Sequence, residues 1–370
     1  MDMEEALRYL HNIKGDAMHL KAGTPLMIRQ NRDLLPYDNN PLSAEKVQEM
    51  IFSILSGNQI IKLEEERELD FSHEVTGLAR FRGNVFFQKG LTGGTFRIIP
   101  FEIPTLDSLF MPKIIKDLAG RNQGLIIITG PTGSGKSTTL AAMVEEINST
   151  KRKHIITIED PIEFIHRDKY CVINQREIGS DTLSFTEALR RSLRQDPDVI
   201  LVGEMRDSET MNIAMAAAET GHLVLTTLHT NDAKKSIERI VNSFPAEEQE
   251  QIRFQLSISL TAVISQRLVN RCDCPERMAA QEIMINSPTI SKLLEEGTIG
   301  KIDKVIEESS DYYNMQTLNQ CLFNLWARKI IDEKEAISVS TNPRDLSLKI
   351  RSETYGERHN KQGGNGNERT

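Results

Sequence analysis

Eight residues constrain the fold of this 370-residue chain more than any others: Gly130 to Ser137 read GPTGSGKS. The apolar run LIIIT precedes them, and the helical pattern TTLAAMVEEIN follows them. A glycine-rich loop of this spacing between a strand and a helix is typical of loops that surround phosphate groups with backbone N–H groups, aided by the helix dipole. The sequence therefore predicts a nucleotide site at the carboxyl end of a buried strand.

Different residues of this loop are expected to contact different parts of ATP. Lys136 is expected to reach the β- and γ-phosphates, and the hydroxyl of Ser137 is expected to coordinate Mg²⁺. Thr138 is expected near the α-phosphate. The predicted ATP-binding loop comprises Gly130, Pro131, Thr132, Gly133, Ser134, Gly135, Lys136, Ser137 and Thr138.

Four short apolar runs alternate with helical patterns in the middle of the chain. They are LIIITG (125–130), HIITIED (154–160), VILVGE (199–204) and LVLTTLHT (223–230). Continuous apolar strands separated by helices predict a parallel sheet that is buried on both faces, in a three-layer α/β domain. Ligands bind such sheets at the edge formed by the carboxyl ends of the strands.

Acidic side chains follow two of these strands. Glu204 comes directly after VILVG, and a cluster of Glu159, Asp160 and Glu163 comes at the end of HIITI. Pro161 disfavours a helix across this point, so the cluster is expected in a loop. Carboxylates at this edge can hold metal-bound water or polarise an attacking water. The alternative for each acid is an ordinary solvated surface charge.

Two histidines bracket the fourth strand. His222 precedes it, and His229 follows its carboxyl end. An imidazole in the second position can donate a hydrogen bond to a γ-phosphate and respond to its loss. A structural role is the alternative for both, and His222 is the weaker candidate.

The first hundred residues differ in pattern from the rest. In DMEEALRYLHNIK, apolar residues recur at helical spacing on Met3, Ala6, Leu7 and Leu10, and AEKVQEMIFSIL repeats that spacing. ARFRGNVFFQKG and GGTFRIIP read as strands. These patterns predict a small α+β domain.

Composition shifts set the predicted domain boundaries. Pro100 and Pro104 enclose the start of a linker, and the pattern beyond Thr261 is mostly helical. The polar end of the chain, KQGGNGNERT, predicts disorder. The predicted organisation is an N-terminal domain at 1–100, a linker at 101–112, an ATPase domain with a helical C-terminal part at 113–337, and a disordered tail at 338–370.

Charge and composition exclude several classes of protein. The formal net charge is -8 and aromatic residues make up 5% of the chain, which argues against a DNA-handling protein. Four cysteines without dense spacing indicate a reducing compartment. The acidic N-terminal stretch lacks the apolar core of a signal peptide, and no apolar run approaches the roughly 18–20 residues of a membrane span. We therefore expect a cytoplasmic protein without direct membrane insertion or nucleic-acid binding.

The order of four sequence boxes resembles a known superfamily. GPTGSGKST, ITIEDPIEF, VILVGEMRD and TGHLVLTTLHT are similar, in that order, to the secretion ATPases of type II secretion, type IV secretion and type IV pili. The segment NQREIGSDTLSFTEALRRSLRQDP is most similar to the pilus retraction branch, which powers twitching motility. The resemblance implies a RecA-like three-layer P-loop ATPase domain after a PAS-like N-terminal domain, a homo-hexameric ring, and ATP with Mg²⁺ as cofactors.

The resemblance also assigns residues and partners. It implies that Glu163 acts on the attacking water, and that Glu204 works with the metal and its waters beside Ser137 and Lys136. It makes His222 and His229 a histidine box that links nucleotide state to motion. The arginines implied to close over ATP are Arg80, Arg82 and Arg97. The implied partners are an inner-membrane pilus platform protein and related pilus ATPases, with the ring docked at the inner-membrane base of the pilus machine.

One motif departs from the retraction branch. At 289–296, where that branch has a motif resembling AIRNLIRE, this chain reads TISKLLEE, so Ser291 and Glu295 replace two arginines. This departure keeps open an accessory or divergent pilus ATPase, and a pilus-assembly or type II secretion ATPase. A regulatory nucleotide-binding module and a DNA-handling RecA-like ATPase are the more distant alternatives.

Overall fold

Two units make up the fold in the computed structural model. The first contains Met1–Ile103 and Glu163–His166, and the second contains Pro104–Ile162 and Arg167–Thr370. The structure describes residues 1–30, 33–99 and 102–363, with side chains described as far as residue 354. Within these ranges, no helix is both long and apolar enough to cross a bilayer.

The first unit is a six-stranded antiparallel sheet with three helices, in the strand order β3-β2-β1-β6-β5-β4. Its elements are α1 (Met3–Asn12), β1 (Ala17–Lys21), β2 (Met27–Gln30), β3 (Asp33–Pro36), α2 (Ala44–Phe52), α3 (Gly57–Glu66), β4 (Glu68–Val75), β5 (Ala79–Gln88) and β6 (Leu91–Ile99).

Local sequence signals explain the helices and strands that were predicted in the first unit. Asp2 and Glu5 form a capping box that starts α1, and the predicted apolar face of α1 is buried. Both predicted strands are present as β5 and β6. The second predicted helix is shorter than its apolar pattern, because α2 ends at Phe52, although Leu55 beyond its end is still buried in the core. The likeness of this unit to a PAS domain stays a prediction.

The second unit is built on a seven-stranded sheet in the order β13-β12-β7-β11-β10-β8-β9, parallel except for the β12–β13 pair. Its elements are α4 (Lys113–Ala119), β7 (Gly124–Thr129), α5 (Lys136–Thr150), β8 (His154–Glu159), β9 (Val172–Glu177), α6 (Phe185–Ser192), β10 (Val199–Val202), α7 (Ser208–Glu219), β11 (Leu223–Leu228), α8 (Ala233–Val241), α9 (Gln249–Ser259), β12 (Leu260–Asn270), β13 (Arg277–Ile285), α10 (Pro288–Glu295), a 3₁₀ turn (Ile299–Lys301), α11 (Ile302–Glu308), α12 (Ser310–Tyr313), α13 (Leu318–Ala327), α14 (Glu333–Val339) and α15 (Pro343–Gly363).

Alternate side chains of the central strands enter different hydrophobic layers. On β7, Leu125 and Ile127 pack with residues of helices α6 to α10, whereas Ile126 and Ile128 pack with residues of α4 and α5. All four are fully buried. Because a strand alternates its side chains between two faces, the sheet is the middle of three layers, which confirms the predicted α/β architecture.

The prediction of a mostly helical stretch beyond Thr261 is confirmed from Pro288 onward, but it missed the strands β12 and β13, which form a long antiparallel pair first. Apolar runs that are buried on both faces carry no period by which a strand can be told from a helix. The linker predicted at 101–112 stays a prediction: Leu106 within it is fully buried against α4, while Pro100 and Phe101 lie outside the described residues.

The predicted disordered tail is wrong for 338–363. This part of the chain ends α14 and forms α15, and Leu346 and Ile350 are buried in a cluster with Val269 and Leu322. Two apolar residues four positions apart suffice to bury one face of a helix, although the overall composition is polar. The remaining residues, 364–370, lie outside the described part of the chain.

A buried carboxyl group joins β13 to the start of α8. Glu282 is 7% exposed, and its Oε1 accepts hydrogen bonds from the backbone N–H of Ala233 at 2.8 Å and from the Ser265 hydroxyl at 3.3 Å. Burial raises the pKa of Glu282 to about 7, and the nearby carboxylates of Asp232 and Asp303 act in the same direction. The folded chain therefore keeps a proton on Glu282 at pH values where the unfolded chain has lost it.

We predict that Glu282→Gln changes the pH dependence of stability. Between about pH 4.5 and 7 the folded wild type binds more protons at this site than the unfolded chain, so its free energy of unfolding falls as pH rises. Gln cannot titrate, so the variant gains on the wild type over this interval, by up to about 3 kcal/mol. Urea titrations of both proteins at pH 5 and pH 8 measure the change. The same difference in stability at both pH values would contradict the prediction.

Candidate active site

The loop between β7 and α5 has a backbone that requires glycine. Gly130, Gly133 and Gly135 have φ angles of 150°, 78° and 87°, a region that side chains disfavour. At Gly130, an added Cβ would lie only 2.3 Å from the carbonyl oxygen of Gln266. The positive φ angles turn successive peptide groups, as in loops whose N–H groups converge on an anion. The observed geometry thus fits the phosphate loop predicted from the sequence.

Gln266, on the neighbouring strand β12, holds this loop through two hydrogen bonds. Its Nε2 donates a hydrogen bond to the carbonyl oxygen of Ser134 at 2.8 Å, and its Oε1 accepts one from the Thr139 hydroxyl at 3.0 Å. The side chain is 1% exposed, so both bonds are shielded from water. Sequence reasoning missed Gln266, since its strand was not predicted and no motif marks a single glutamine.

Lys136 lies inside the loop at the start of α5. Its Nζ donates to the carbonyl oxygens of Gly130 at 2.9 Å and Pro131 at 3.1 Å, and the residue is 8% exposed. A buried ammonium group and the positive end of a 15-residue helix together favour an anion here. Ser137 and Thr138 are partly exposed beside it. The residues present therefore fit a bound phosphate chain.

Parallel pairing brings the ends of four strands to one edge. The order β7-β11-β10-β8 is continuous, and its register aligns Thr129 with Leu228, and Val202 with both Thr226 and Ile158. The residues that follow the four carboxyl ends in the same order are Gly130, His229, Gly203-Glu204 and Asp160. The sheet therefore places the phosphate loop, the histidine and the acid along one line.

Glu204 pairs with two neighbours at this edge. One carboxylate oxygen contacts the guanidinium of Arg206, and the other lies 3.6 Å from Nε2 of His229. The hydrogen bond to Glu204 raises the pKa of Arg206 above its usual range. The Glu204 side chain is 14% exposed and that of His229 is 55% exposed. The acid is thus held at the edge of the sheet, and its imidazole partner reaches into solvent.

The position before Glu204 leaves little room for a side chain. A Cβ at Gly203 would lie 3.3 Å from the carbonyl oxygen of Ile158 on β8. The backbone of Gly203 is bonded on both sides, to Ile158 at 2.8 Å and to the Thr227 hydroxyl at 2.6 Å. This close approach favours glycine at the position where many such strands carry the first residue of an acidic pair.

Glu163 lies in the loop that follows β8. The residue is exposed, and Pro161 precedes it by two positions, as expected for a loop. The neighbouring N–H of Ile162 donates to the Glu177 carboxylate at 3.1 Å. The division of the chain into units groups Glu163–His166 with the first unit. Its action on the nucleotide's attacking water therefore stays a prediction.

The structure separates the two histidines of the predicted histidine box. Nδ1 of His222 lies 3.0 Å from the carbonyl oxygen of Ala217, and the His222 carbonyl accepts from Gly124 at the start of β7. His229 follows the opposite end of β11, whose six residues rise about 20 Å at roughly 3.3 Å each. Within one chain, only His229 lies at the edge with the phosphate loop.

Four arginines of the first unit share one face of its sheet. Arg82 on β5 lies directly opposite Arg97 on β6. In the same row, Ala17 on β1 lies between Arg97 and Arg29, which is on β2. Arg82 and Arg97 are exposed. Arg80 pairs with Ile99, one step further along that face. Like charges directly opposite each other are unfavourable without a counter-ion, so this arginine face is suited to an anion.

Comparisons with known proteins give the chain its relatives. The family described as Type II/IV secretion system protein matches residues 109–344. The type IV pilus retraction ATPase PilT of Pseudomonas aeruginosa is 47% identical over 336 residues, which cover 91% of this chain and 97% of that protein. The type IV pilus ATPase PilU of the same organism is 39% identical over 351 residues, covering 95% and 92% respectively.

A solved structure agrees with the sequence comparison. The crystal structure of the pilus retraction motor PilT with bound ADP superposes with a TM-score of 0.88 at 42% identity, covering 94% of this chain and 99% of that one. The family match spans the strands, the phosphate loop and the Glu204 edge of the second unit. This chain belongs to the Type II/IV secretion system protein family.

Proposed function

We propose that this chain is the subunit of an ATP-hydrolysing motor that powers retraction of a type IV pilus. One observation carries the proposal: the glycine-rich loop, His229 and Glu204 lie along one sheet edge. The chain that carries this edge is 47% identical to a pilus retraction ATPase over 336 residues. The geometry supports nucleotide chemistry, and the relative supports the mechanical task.

The phosphate loop binds the triphosphate. Its backbone N–H groups and the α5 dipole bind the phosphate oxygens, and Lys136 neutralises their charge. Ser137 and Glu204 would hold Mg²⁺, directly or through its water, since Mg²⁺ in proteins commonly combines one or two side chains with substrate phosphates. When bound, the ion spreads the negative charge of the phosphates. The Glu204 carboxylate must leave Arg206 to take this part.

Glu163 is the general base of the proposed reaction. A carboxylate within hydrogen-bond reach of a water can accept its proton as it attacks a phosphoryl group. Glu163 is exposed and lies in a loop, so its side chain is accessible to water. His229 contacts Glu204 and reports whether that carboxylate is engaged by nucleotide. The arginine face, with Arg80, Arg82 and Arg97, binds the anionic phosphates.

The proposed assembly is a homo-hexameric ring at the cytoplasmic base of a pilus machine. Its partner there is an inner-membrane platform protein, on which successive rounds of hydrolysis exert force. The likeness to a pilus retraction motor over almost the whole chain supports this assignment. Related pilus ATPases are further candidate partners, because the chain also resembles PilU over 95% of its length.

An accessory pilus ATPase is the second candidate function. Ser291 and Glu295, which depart from the retraction motif, are both bonded to α9. The Ser291 hydroxyl donates to the Ser257 carbonyl at 3.1 Å, and the Ser257 hydroxyl donates to Glu295 at 3.3 Å. Where the retraction motif carries charged arginines, this chain has Ser291 and Glu295, which are hydrogen-bonded to α9. This difference favours a change in the mechanical output of the motor over a loss of ATP hydrolysis.

We predict that binding and turnover separate by variant. Lys136→Ala should lose nucleotide affinity, because it removes the buried ammonium group of the loop. Glu163→Gln and Glu204→Gln should retain affinity and lose about 10²- to 10⁴-fold in kcat, the usual range for general acid–base groups. Calorimetric titration with a non-hydrolysable ATP analogue and steady-state phosphate release measure the two effects.

A surface variant completes that experiment. Glu296→Gln removes an exposed carboxylate at the end of α10 and should leave both affinity and kcat at the wild-type values. Wild-type kcat in both Glu163→Gln and Glu204→Gln would refute the proposed active site.

Deletion of the gene should leave cells with abundant surface pili and no twitching, because a retraction motor removes pili that another motor extends. Electron microscopy of pili and stab-agar motility assays measure the two traits. A plasmid that encodes the wild type should restore twitching, and one that encodes Glu163→Gln should not. Loss of pili would instead indicate an assembly motor, and unchanged motility would favour the accessory candidate.

A further inference from the structure

A buried carboxylate lies beneath the loop that carries Glu163. Glu177 ends the edge strand β9, is 3% exposed and pairs in register with Glu159, the last residue of β8. Its Oε2 accepts the backbone N–H of Ile162 at 3.1 Å. Ile162 is itself 3% exposed. The bond therefore joins two buried groups, one peptide unit before the proposed general base.

Both the backbone and the side chain of Glu177 are hydrogen-bonded to their surroundings. The turn that follows β9 folds back on it: the Glu177 N–H donates to the Asp181 carboxylate at 2.8 Å, and the Asp181 N–H donates to the Glu177 carbonyl at 2.9 Å. Its Oε1 faces the Ser180 hydroxyl at 3.4 Å. Ile178 then continues the pairing by donating to the Glu159 carbonyl at 2.9 Å. The backbone that carries this carboxylate is thus anchored by the edge strand and its turn, independently of the loop that carries Glu163.

Burying a carboxylate costs free energy unless hydrogen bonds satisfy it. The burial of Glu177 is thus a cost that an apolar residue at the same position would avoid. The carboxylate accepts the hydrogen bond of the Ile162 N–H, which has no partner on a neighbouring strand among the described residues. This N–H lies directly after Pro161, where the chain has left β8. Since a displacement of about 1 Å at a reacting group can cost 10²-fold in rate, fixing this peptide has consequences for the next side chain.

We propose that Glu177 is a positioning residue for Glu163: its buried carboxylate holds the Ile162 peptide and thereby orients the side chain that follows. The proposal rests on the proposed function, in which Glu163 activates water. Glu177 itself touches neither nucleotide nor water in this scheme, so its effect passes entirely through Glu163.

The test is a double-mutant cycle with two readouts. Glu177→Ala should lower kcat about 10- to 100-fold and change the affinity for a non-hydrolysable ATP analogue by less than about threefold, because the phosphate loop is untouched. Glu177→Gln should recover most of kcat, since its amide oxygen can still accept the Ile162 N–H. In a Glu163→Gln background, Glu177→Ala should cause no further loss, because the residue through which it acts is already disabled.

Two further variants distinguish a positioning effect from a general loss of folding. Glu177→Asp keeps the charge but withdraws the oxygen from Ile162, so it should lower kcat as Glu177→Ala does even if the alanine variant folds poorly. Ser180→Ala removes only the hydroxyl at the other carboxylate oxygen, and it should keep kcat within about threefold of the wild type. Thermal melting checks that each protein is folded.

Three results would overturn the positioning role: wild-type kcat in Glu177→Ala, an equal loss of kcat and affinity, or a full additional loss in the Glu163→Gln background. If Glu163→Gln alone retains wild-type kcat, the proposed function fails, whatever Glu177 does. If Glu163→Gln loses kcat and Glu177→Ala keeps it, only the positioning role fails. The two ideas therefore fail in distinguishable ways.

Discussion

The site depends on the hydrogen-bonded ladder of four parallel strands, β7, β11, β10 and β8. Because these strands are buried on both faces and run the same way, their carboxyl ends form one edge, and the residue after each end lies beside the next. A one-residue slip would move every side chain to the other face of the sheet. The close approach of Gly203 to Ile158 shows how tightly that register is fixed where Glu204 leaves the strand.

Buried polar bonds then tie the loops at that edge to the rigid sheet. Thr129, the last residue of β7, accepts the N–H of Thr230 at 3.0 Å and so links the phosphate-loop strand to the His229 turn. Gln266 holds the phosphate loop itself at 2.8 Å, and Glu177 holds the loop before Glu163 at 3.1 Å. Unpaired polar groups are costly in a buried setting, so each of these loops has one favoured position. The contacts of Glu204 with Arg206 and with His229 lie nearer to solvent. They are therefore the contacts that can most easily break when a ligand binds.

The sequence allowed the central strands, the phosphate loop and the line of Glu204 and His229 to be predicted, because each depends on local pattern and on the geometry of parallel sheets. It did not allow β12 and β13 to be recognised, since their apolar runs have no distinctive period, and Gln266 was missed with them. The buried face of α15 was missed because two residues, Leu346 and Ile350, carry it within a polar segment. His222 and His229 belong to one motif, but the predicted strand between them, β11, already implied that they lie at opposite edges of the sheet.

The central claim is that this sheet edge binds a triphosphate and turns Glu204 toward it. The most direct measurement is a crystal structure of the protein with Mg²⁺ and a non-hydrolysable ATP analogue. The account predicts phosphate oxygens at about 3 Å from the loop N–H groups and from Nζ of Lys136, with the Glu204 carboxylate released from Arg206 and facing the metal. An analogue bound away from this loop, or Glu204 still paired with Arg206 beside a bound analogue, would contradict it.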